Sequence, residues 1–352
     1  MNAKNVKIAI FGAGAMGTVL GALLIKGGLQ NVDLITRNKS HVNGLRSKGA
    51  VLHYAEGDTE EIPVKALTPQ EMTEPYDVIF LMTKQRNNVE TVQFLLPYLK
   101  TDGVLCTTQN GLPEGSIAPI IGNARMYGAA TTFGAEFIGN GEVVLTSKKS
   151  GMSMEIGGYQ NDGSKLPILM KILAYVGKAI GKEDFAKPTE NLWGARWSKL
   201  SINAAFSGLS VVTGLTFGKI AQKHKTRKLA LCVLRECLAV AKAAGVTVAK
   251  MQGHDMEKFL GGNTPIKRFI AYLVLPFAMK KHKKLLSGML KDVEKGKRCE
   301  IDFINGVVVK EGERYGVATP YCKQIVEIVH GIENGLYEIT DKNVDFFFAM
   351  EE

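Results

Sequence analysis

Lys7-Ile8-Ala9-Ile10-Phe11-Gly12-Ala13-Gly14-Ala15-Met16-Gly17 is an apolar strand that runs straight into Gly-x-Gly-x-x-Gly and then into a helical pattern from Thr18 to Lys26. Each glycine has a mechanical task in that setting. Gly12 permits the tight turn, Gly14 lets backbone approach a pyrophosphate, and Gly17 lets the helix pack against the strand. With Ala13, Ala15 and Met16 between them, they lead into a helix N-terminus whose N–H groups and partial positive charge suit phosphates. The stretch predicts a dinucleotide-binding unit with Gly12–Gly17 as its cofactor loop.

The second strand, Val32-Asp33-Leu34-Ile35-Thr36, ends at Arg37, with Lys39 close by. An NAD-binding unit carries an acidic residue near this place, on the ribose 2′-hydroxyl. A guanidinium instead grips a 2′-phosphate through parallel hydrogen bonds. Arg37 therefore predicts NADP(H) as the cofactor.

Strand and helix patterns alternate through the first half. A helix (residues 40–48), a β-rich stretch (50–65), a strand (77–82), a helix (87–99) and strands at 103–108 and 125–130 follow in turn. This order predicts a parallel sheet covered on both faces. Segments 142–145 and 152–156 read as antiparallel strands closing that domain. Composition changes at Lys187-Pro188, and from there helices are expected at 189–205, 225–244, 267–294, 301–315 and 320–334. Thr189 suits a helix start, and Gly245 and Gly316 suit helix stops. The expected plan is a doubly wound Rossmann-type α/β domain over 1–187 and an all-α domain over 188–352.

The 352 residues, 45% of them hydrophobic, suffice for two cores. The chain enters a strand almost at once, so no signal peptide is expected. The longest apolar run, Phe269 to Met279, is too short for a membrane span and contains Pro276. It reads as a core helix or a subunit interface, which leaves a homodimer possible. Five scattered cysteines without Cys-x-x-Cys suggest free thiols in a reducing cytoplasm, and six histidines show no metal-ligand spacing. No metal, membrane or nucleic-acid partner is expected. The net charge of +10 suits an anionic cofactor and an acidic substrate. The run Lys280-Lys281-His282-Lys283-Lys284 reads as a solvated helix face.

Strand ends deliver side chains to the cofactor crevice of such a sheet. Lys84 and Asn110 each follow a strand and are candidates for it. Lys199 and Asn203, in Trp197-Ser198-Lys199-Leu200-Ser201-Ile202-Asn203, stand i, i+4 on one helical face. Glu300 opens the last-but-one long helix, where a carboxylate is electrostatically favoured.

Taken with Thr83-Lys84, Gln109-Asn110-Gly111, Glu300-Ile301-Asp302-Phe303-Ile304-Asn305-Gly306 and Gly316-Val317-Ala318-Thr319-Pro320, these motifs make the chain resemble the ketopantoate reductase (2-dehydropantoate 2-reductase) family over nearly its whole length. The resemblance implies a C-terminal domain of the 6-phosphogluconate dehydrogenase C-terminal-like kind. It implies an NADP-dependent oxidoreductase acting on CH–OH groups, in which NADPH reduces the 2-oxo group of ketopantoate to give pantoate for pantothenate and coenzyme A synthesis. Lys199 would be the general acid, with Glu300 completing the catalytic pair and contacting the cofactor side. Asn203 would bind substrate, Asn110 would lie between cofactor and substrate, and Ala135 in Thr132-Phe133-Gly134-Ala135 would touch the cofactor. A lysine fits the acid role if its surroundings lower its pKa toward neutrality.

Three departures fall where the family lines its substrate. Ser207 replaces a second asparagine, Phe217 precedes a glycine where many members have asparagine, and Gly288 replaces the second serine of Ser-Ser-Met. The stretch 251–284 also exceeds the usual length. Reaction type is therefore better specified than substrate. A reductase of another 2-oxo acid, such as one condensed with an amine, is the enzyme alternative. An NADP(H)-sensing binding protein acting on nucleic acid or protein is the non-enzyme alternative.

Overall fold

The structure is a computed structural model that describes residues 3–250, 258 and 264–348. Contacts divide the chain into two units. One holds the chain up to Gln109 together with Pro113–Leu192; the other holds Asn110–Leu112 and the chain from Trp193 onward.

The first unit begins with β1 (Ile8–Phe11), α1 (Ala15–Gly27), β2 (Val32–Ile35) and α2 (Lys39–Lys48). Three short strands follow: β3 (Ala50–His53), β4 (Thr59–Ile62) and β5 (Lys65–Leu67). Then come β6 (Tyr76–Leu81), α3 (Asn88–Leu95), β7 (Leu99–Thr107), α4 (Glu114–Ile121) and β8 (Met126–Thr131). The unit ends with β9 (Ala135–Gly139), β10 (Glu142–Leu145), β11 (Met154–Gly158), α5 (Leu166–Ile180) and β12 (Ala186–Pro188).

The main sheet has the order β12-β11-β8-β7-β6-β1-β2-β5. From β1 the chain builds outward through β2 to β5, then returns to the other side of β1 and builds out through β6, β7 and β8. All of these pairings are parallel. The reversal of direction beside β1 is the switch point at which such sheets open a crevice outside the carboxyl ends of the strands. Alternation along β1 separates two cores. Ile8 and Ile10 join the layer under α1 and α5, whereas Ala9 and Phe11 join the layer under α3 and α4. A strand covered on both faces carries an unbroken apolar run, and Ile8–Phe11 are buried throughout.

Of the two strands expected to close the domain, β10 lies in a separate four-stranded sheet, β4-β3-β10-β9, parallel to β3 and antiparallel to β9. β11 does join the main sheet, antiparallel to β8 and parallel to β12. Helix α5 was not anticipated. Its proline in the first turn and left-handed Gly181 cap (φ 69°) were legible start and stop signals. The helix expected over 87–99 ends early, because Leu99 already pairs with Tyr76 as the first residue of β7.

The second unit comprises α6 (Leu192–Ile202), a π-helical turn (Asn203–Ser207), α7 (Gly208–Thr213), α8 (Phe217–Gln222) and α9 (His224–Ala243). These are followed by α10 (Pro265–Ala278), α11 (Gly288–Glu294), α12 (Ile301–Tyr315), α13 (Pro320–Glu333) and α14 (Asp345–Phe348). Its core joins Trp197, Phe206, Leu209, Leu234, Ile304 and Ile325. Buried Glu236 on α9 accepts the backbone N–H groups of Tyr321 and Cys322 at 2.8 Å each, which caps the first turn of α13.

Gly316 ends α12 in the left-handed region (φ 69°), and Gly245 follows α9 with φ 71°, as their positions predict. The single helix expected over 267–294 is two helices. A 3-10 turn at Lys280–His282 and irregular backbone separate them, and Lys280, Lys283 and Lys284 lie exposed there rather than on a helix face. The core reading of the apolar run also fails. On α10 only Ala271 and Leu275 are buried, while Ile266, Phe269, Ile270, Leu273, Val274 and Phe277 form an exposed stripe. Of the stretch 251–284, residues 251–257 and 259–263 lie outside the described residues. The contact division falls after Leu192 rather than at 187, because β12 pairs with β11.

Candidate active site

The glycine loop has the local geometry that its sequence implies. Gly12 takes φ +101°, and a Cβ there would meet the Thr83 backbone nitrogen at 2.5 Å, at the end of β6. A Cβ at Gly17 would meet the Gly12 carbonyl at 2.5 Å, so the first turn of α1 packs on the turn itself. A Cβ at Gly14 would meet nothing within 4 Å, which leaves its backbone open to a ligand. Two contacts are close and the third position is open. That pattern fits a dinucleotide pyrophosphate laid against the start of α1.

Parallel strands β2 and β6 bring two first-unit candidates, Arg37 and Lys84, to the same edge of the main sheet, whereas Ala135 belongs to the separate four-stranded sheet. Arg37 is exposed just past β2, where Asn38 caps α2 by accepting the His41 N–H at 3.2 Å. Lys84 is exposed just past β6, and Ala135 begins β9. Gln109 ties two strand ends together. Its amide donates to the Thr83 carbonyl at 2.8 Å and to Asn88 Oδ1 at 2.7 Å, and its carbonyl oxygen accepts from Thr107 at 2.9 Å. Asn110, exposed directly after it, groups with the helical unit, as does Leu112, which packs on that unit's core.

His41 is buried beneath the loop, and no sequence signal pointed to it. Its Nδ1 accepts the Gly141 N–H at 3.0 Å, so Nε2 carries the proton and donates to Thr18 Oγ1 at 2.9 Å. The Thr18 hydroxyl donates in turn to the Ala13 carbonyl at 3.4 Å. Burial holds the imidazole neutral, with its pKa lowered to about 4.

In the helical unit, the segment from Leu192 to Thr213 is buried almost throughout. Trp193, Lys199, Ile202, Asn203 and Ser207 are the positions with appreciable exposure. Lys199, Asn203 and Ser207 are spaced i, i+4, i+8. Burial, together with the guanidinium of Arg196, pushes the Lys199 amine down to about 7. Arg196 is itself only 1% exposed. The sequence carried a signal for it, a charged residue three positions before Lys199 on an apolar helix. Glu300 is half-buried at the N-cap of α12.

The three departures sit on elements that pack around the π turn. Phe217 is buried against Phe206, with ring centroids 5.5 Å apart. Ser287, beside Gly288, is buried and caps α11 by accepting the Met289 N–H at 3.1 Å. A Cβ at Gly288 would meet nothing within 4 Å.

Residues 8–159 match the family described as ketopantoate reductase PanE/ApbA, and residues 191–333 match its C-terminal domain. This chain belongs to the ketopantoate reductase family. It is 26% identical over 332 residues to the 2-dehydropantoate 2-reductase of Lactococcus lactis, covering 93% of this chain and 98% of the relative. The same-named protein of Archaeoglobus fulgidus is 25% identical, with 94% and 99% covered. Among solved structures, D-mandelate dehydrogenase with NADH and anilino(oxo)acetate superposes with a TM-score of 0.78 at 24% identity, covering 94% and 99%. A PanE/ApbA family ketopantoate reductase from Ralstonia eutropha gives 0.76 at 24% identity, with the same coverage. The Rossmann-type sheet followed by an all-α unit is therefore the fold of this oxidoreductase family. Among the described residues, no helix is long and apolar enough to cross a membrane, and no cluster of His, Cys, Asp and Glu could hold a metal ion.

Proposed function

We propose that this ketopantoate reductase family member reduces the 2-oxo group of ketopantoate to pantoate with NADPH. The observation that carries this reading is Lys199. It is an amine with a pKa near 7, partly exposed on the same stripe as Asn203 in a segment that is mostly buried. Relatives named 2-dehydropantoate 2-reductase support the substrate. A neighbour solved with NADH supports a nicotinamide cofactor.

The backbone of Gly12–Gly17, with Arg37, Lys84, Asn110, Ala135 and Glu300, would hold the dinucleotide. When bound, it supplies the hydride for the 2-oxo carbon. The remaining work belongs to side chains. The Lys199 ammonium gives its proton to the oxo oxygen as negative charge develops there. A pKa near the working pH lets the amine both give that proton and regain one from solvent. The Asn203 and Asn110 amides orient the substrate. Arg37 selects the 2′-phosphate.

Lys199→Ala is expected to lower kcat by about 10²–10⁴-fold, with cofactor affinity unchanged in a fluorescence titration. Near-normal turnover with ketopantoate in that variant would remove the assignment.

A second reading is favoured by Phe217 and Gly288. They replace two polar groups with a buried aromatic ring and open space, which suits a bulkier, more apolar 2-oxo acid. Cofactor oxidation measured across a panel of 2-oxo acids separates the two substrates.

A further inference from the structure

Asn305 belongs to none of the roles above, yet it is wholly buried on α12 and faces the backbone of the π turn. Its Nδ2 donates to the Ala204 carbonyl at 3.1 Å. Its Oδ1 has no hydrogen-bond partner among the described residues. A buried amide with one oxygen unused is costly unless its donor is needed. Gly208, at the end of the same turn, makes room for it. A Cβ there would lie 2.7 Å from Asn305 Oδ1 and 2.8 Å from Ile325 Cγ2. The Gly208 N–H closes the turn on the Asn203 carbonyl, an i→i+5 bond.

We propose that Asn305 is a positioning residue that holds the π turn, and so keeps Lys199, Asn203 and Ser207 on one face. The geometry gives the reason. In an α-helix each four-residue step advances about 40° around the axis. Two such steps would carry Ser207 about 80° away from Lys199. A π turn accommodates an extra residue, so the step from Asn203 to Ser207 falls back and roughly cancels the first drift. Single π turns inside α-helices occur often at functional sites. This one begins at Asn203, and Lys199, Asn203 and Ser207, which the corrected register brings together, are all partly exposed. The departure at Ser207 then places a short hydroxyl one step beyond Asn203, on the same stripe.

The inference rests on the reading of Lys199 and Asn203 as the substrate face. Its test uses Asn305→Leu and Asn305→Ser in the full chain, with Gly208→Ala as an independent probe of the same contact and Lys199→Ala as reference. Kinetics with ketopantoate, cofactor affinity by fluorescence titration and peptide-level hydrogen exchange are measured together. The expected result is a loss of at least tenfold in kcat/KM for the oxo acid, with cofactor affinity within twofold and faster exchange confined to residues 203–213. Unchanged kcat/KM and exchange in the Asn305 variants, alongside an inactive Lys199→Ala, would overturn it. A loss that spreads to cofactor affinity and to exchange across the chain would also overturn it, since that marks a general structural role. If the Asn305 variants fail to fold, Gly208→Ala carries the same readouts. If instead Lys199→Ala stays active, the functional reading falls, while local exchange still reports whether Asn305 holds the turn.

Discussion

The proposed proton donor, Lys199, carries a stability cost. The folded state lowers its pKa from 10.5 to about 7, so between those values the unfolded chain binds more protons than the folded one. Folding is therefore weakened as pH falls from 10.5 toward 7. Lys199→Met, which removes the amine, is expected to raise Tm by a few degrees at pH 7 and to bring no gain near pH 10.5, by calorimetry at both pH values. The same pKa predicts that kcat for reduction is full below pH 7 and declines above it, as the proton donor is lost. Arg37 makes a separate prediction. Arg37→Asp should move the preference in kcat/KM from NADPH toward NADH by tenfold or more, because a carboxylate repels the 2′-phosphate and accepts from a 2′-hydroxyl. Preference for NADPH surviving that change would remove Arg37 from the site.

At the scale of elements, His41 joins three pieces of chain: α2, the turn after β9 and the first turns of α1. It is held neutral, with its pKa down from 6.5 to about 4. Its contribution is complete above pH 6.5 and is lost as pH falls toward 4, because the unfolded state takes up the proton first. The loss amounts to up to about 3 kcal/mol at about 1.4 kcal/mol per unit. His41→Ala should flatten that acid limb of the stability curve and weaken cofactor binding through the Thr18–Ala13 link. Denaturant titrations between pH 4 and 7 check the first, and fluorescence titration the second. The strand–turn–helix of β1 and α1 was readable because turn chemistry and apolar pattern agree at every position. The break between α10 and α11 was not readable, since the residues from Lys280 to Leu285 retain helical composition. What breaks the helix is packing: a Cβ on Gly218 would lie 2.6 Å from the Lys283 backbone, and the Phe217 N–H donates to the Leu285 carbonyl at 2.9 Å.

For the whole molecule, each unit has its own hydrophobic core. Both tryptophans, Trp193 and Trp197, belong to the helical unit, so intrinsic tryptophan fluorescence follows that unit while calorimetry follows both. A nicotinamide cofactor at a hundred times its Kd stabilises the state that binds it by about 2.7 kcal/mol. The Gly12–Gly17 loop proposed to hold it lies in the first unit, so the ligand should shift a calorimetric transition further than it shifts the fluorescence midpoint. Equal shifts in the two signals would mean that the units unfold as one.

Local chemistry settled a large part of this protein in the sequence itself. The glycine spacing, the apolar run of β1 and the alternation of strands and helices follow from backbone sterics and from period, which act within a few residues. The order of motifs from Gly12 to Pro320 carried the family. Tertiary structure alone decided that β10 leaves the main sheet, that α10 turns an apolar stripe outward, and that a π turn starts at Asn203. It also decided that His41, Arg196 and Asn305 are buried. Those outcomes depend on which distant backbone atoms each side chain meets and on how much water is removed from it, and neither quantity is written in the spacing of neighbouring residues.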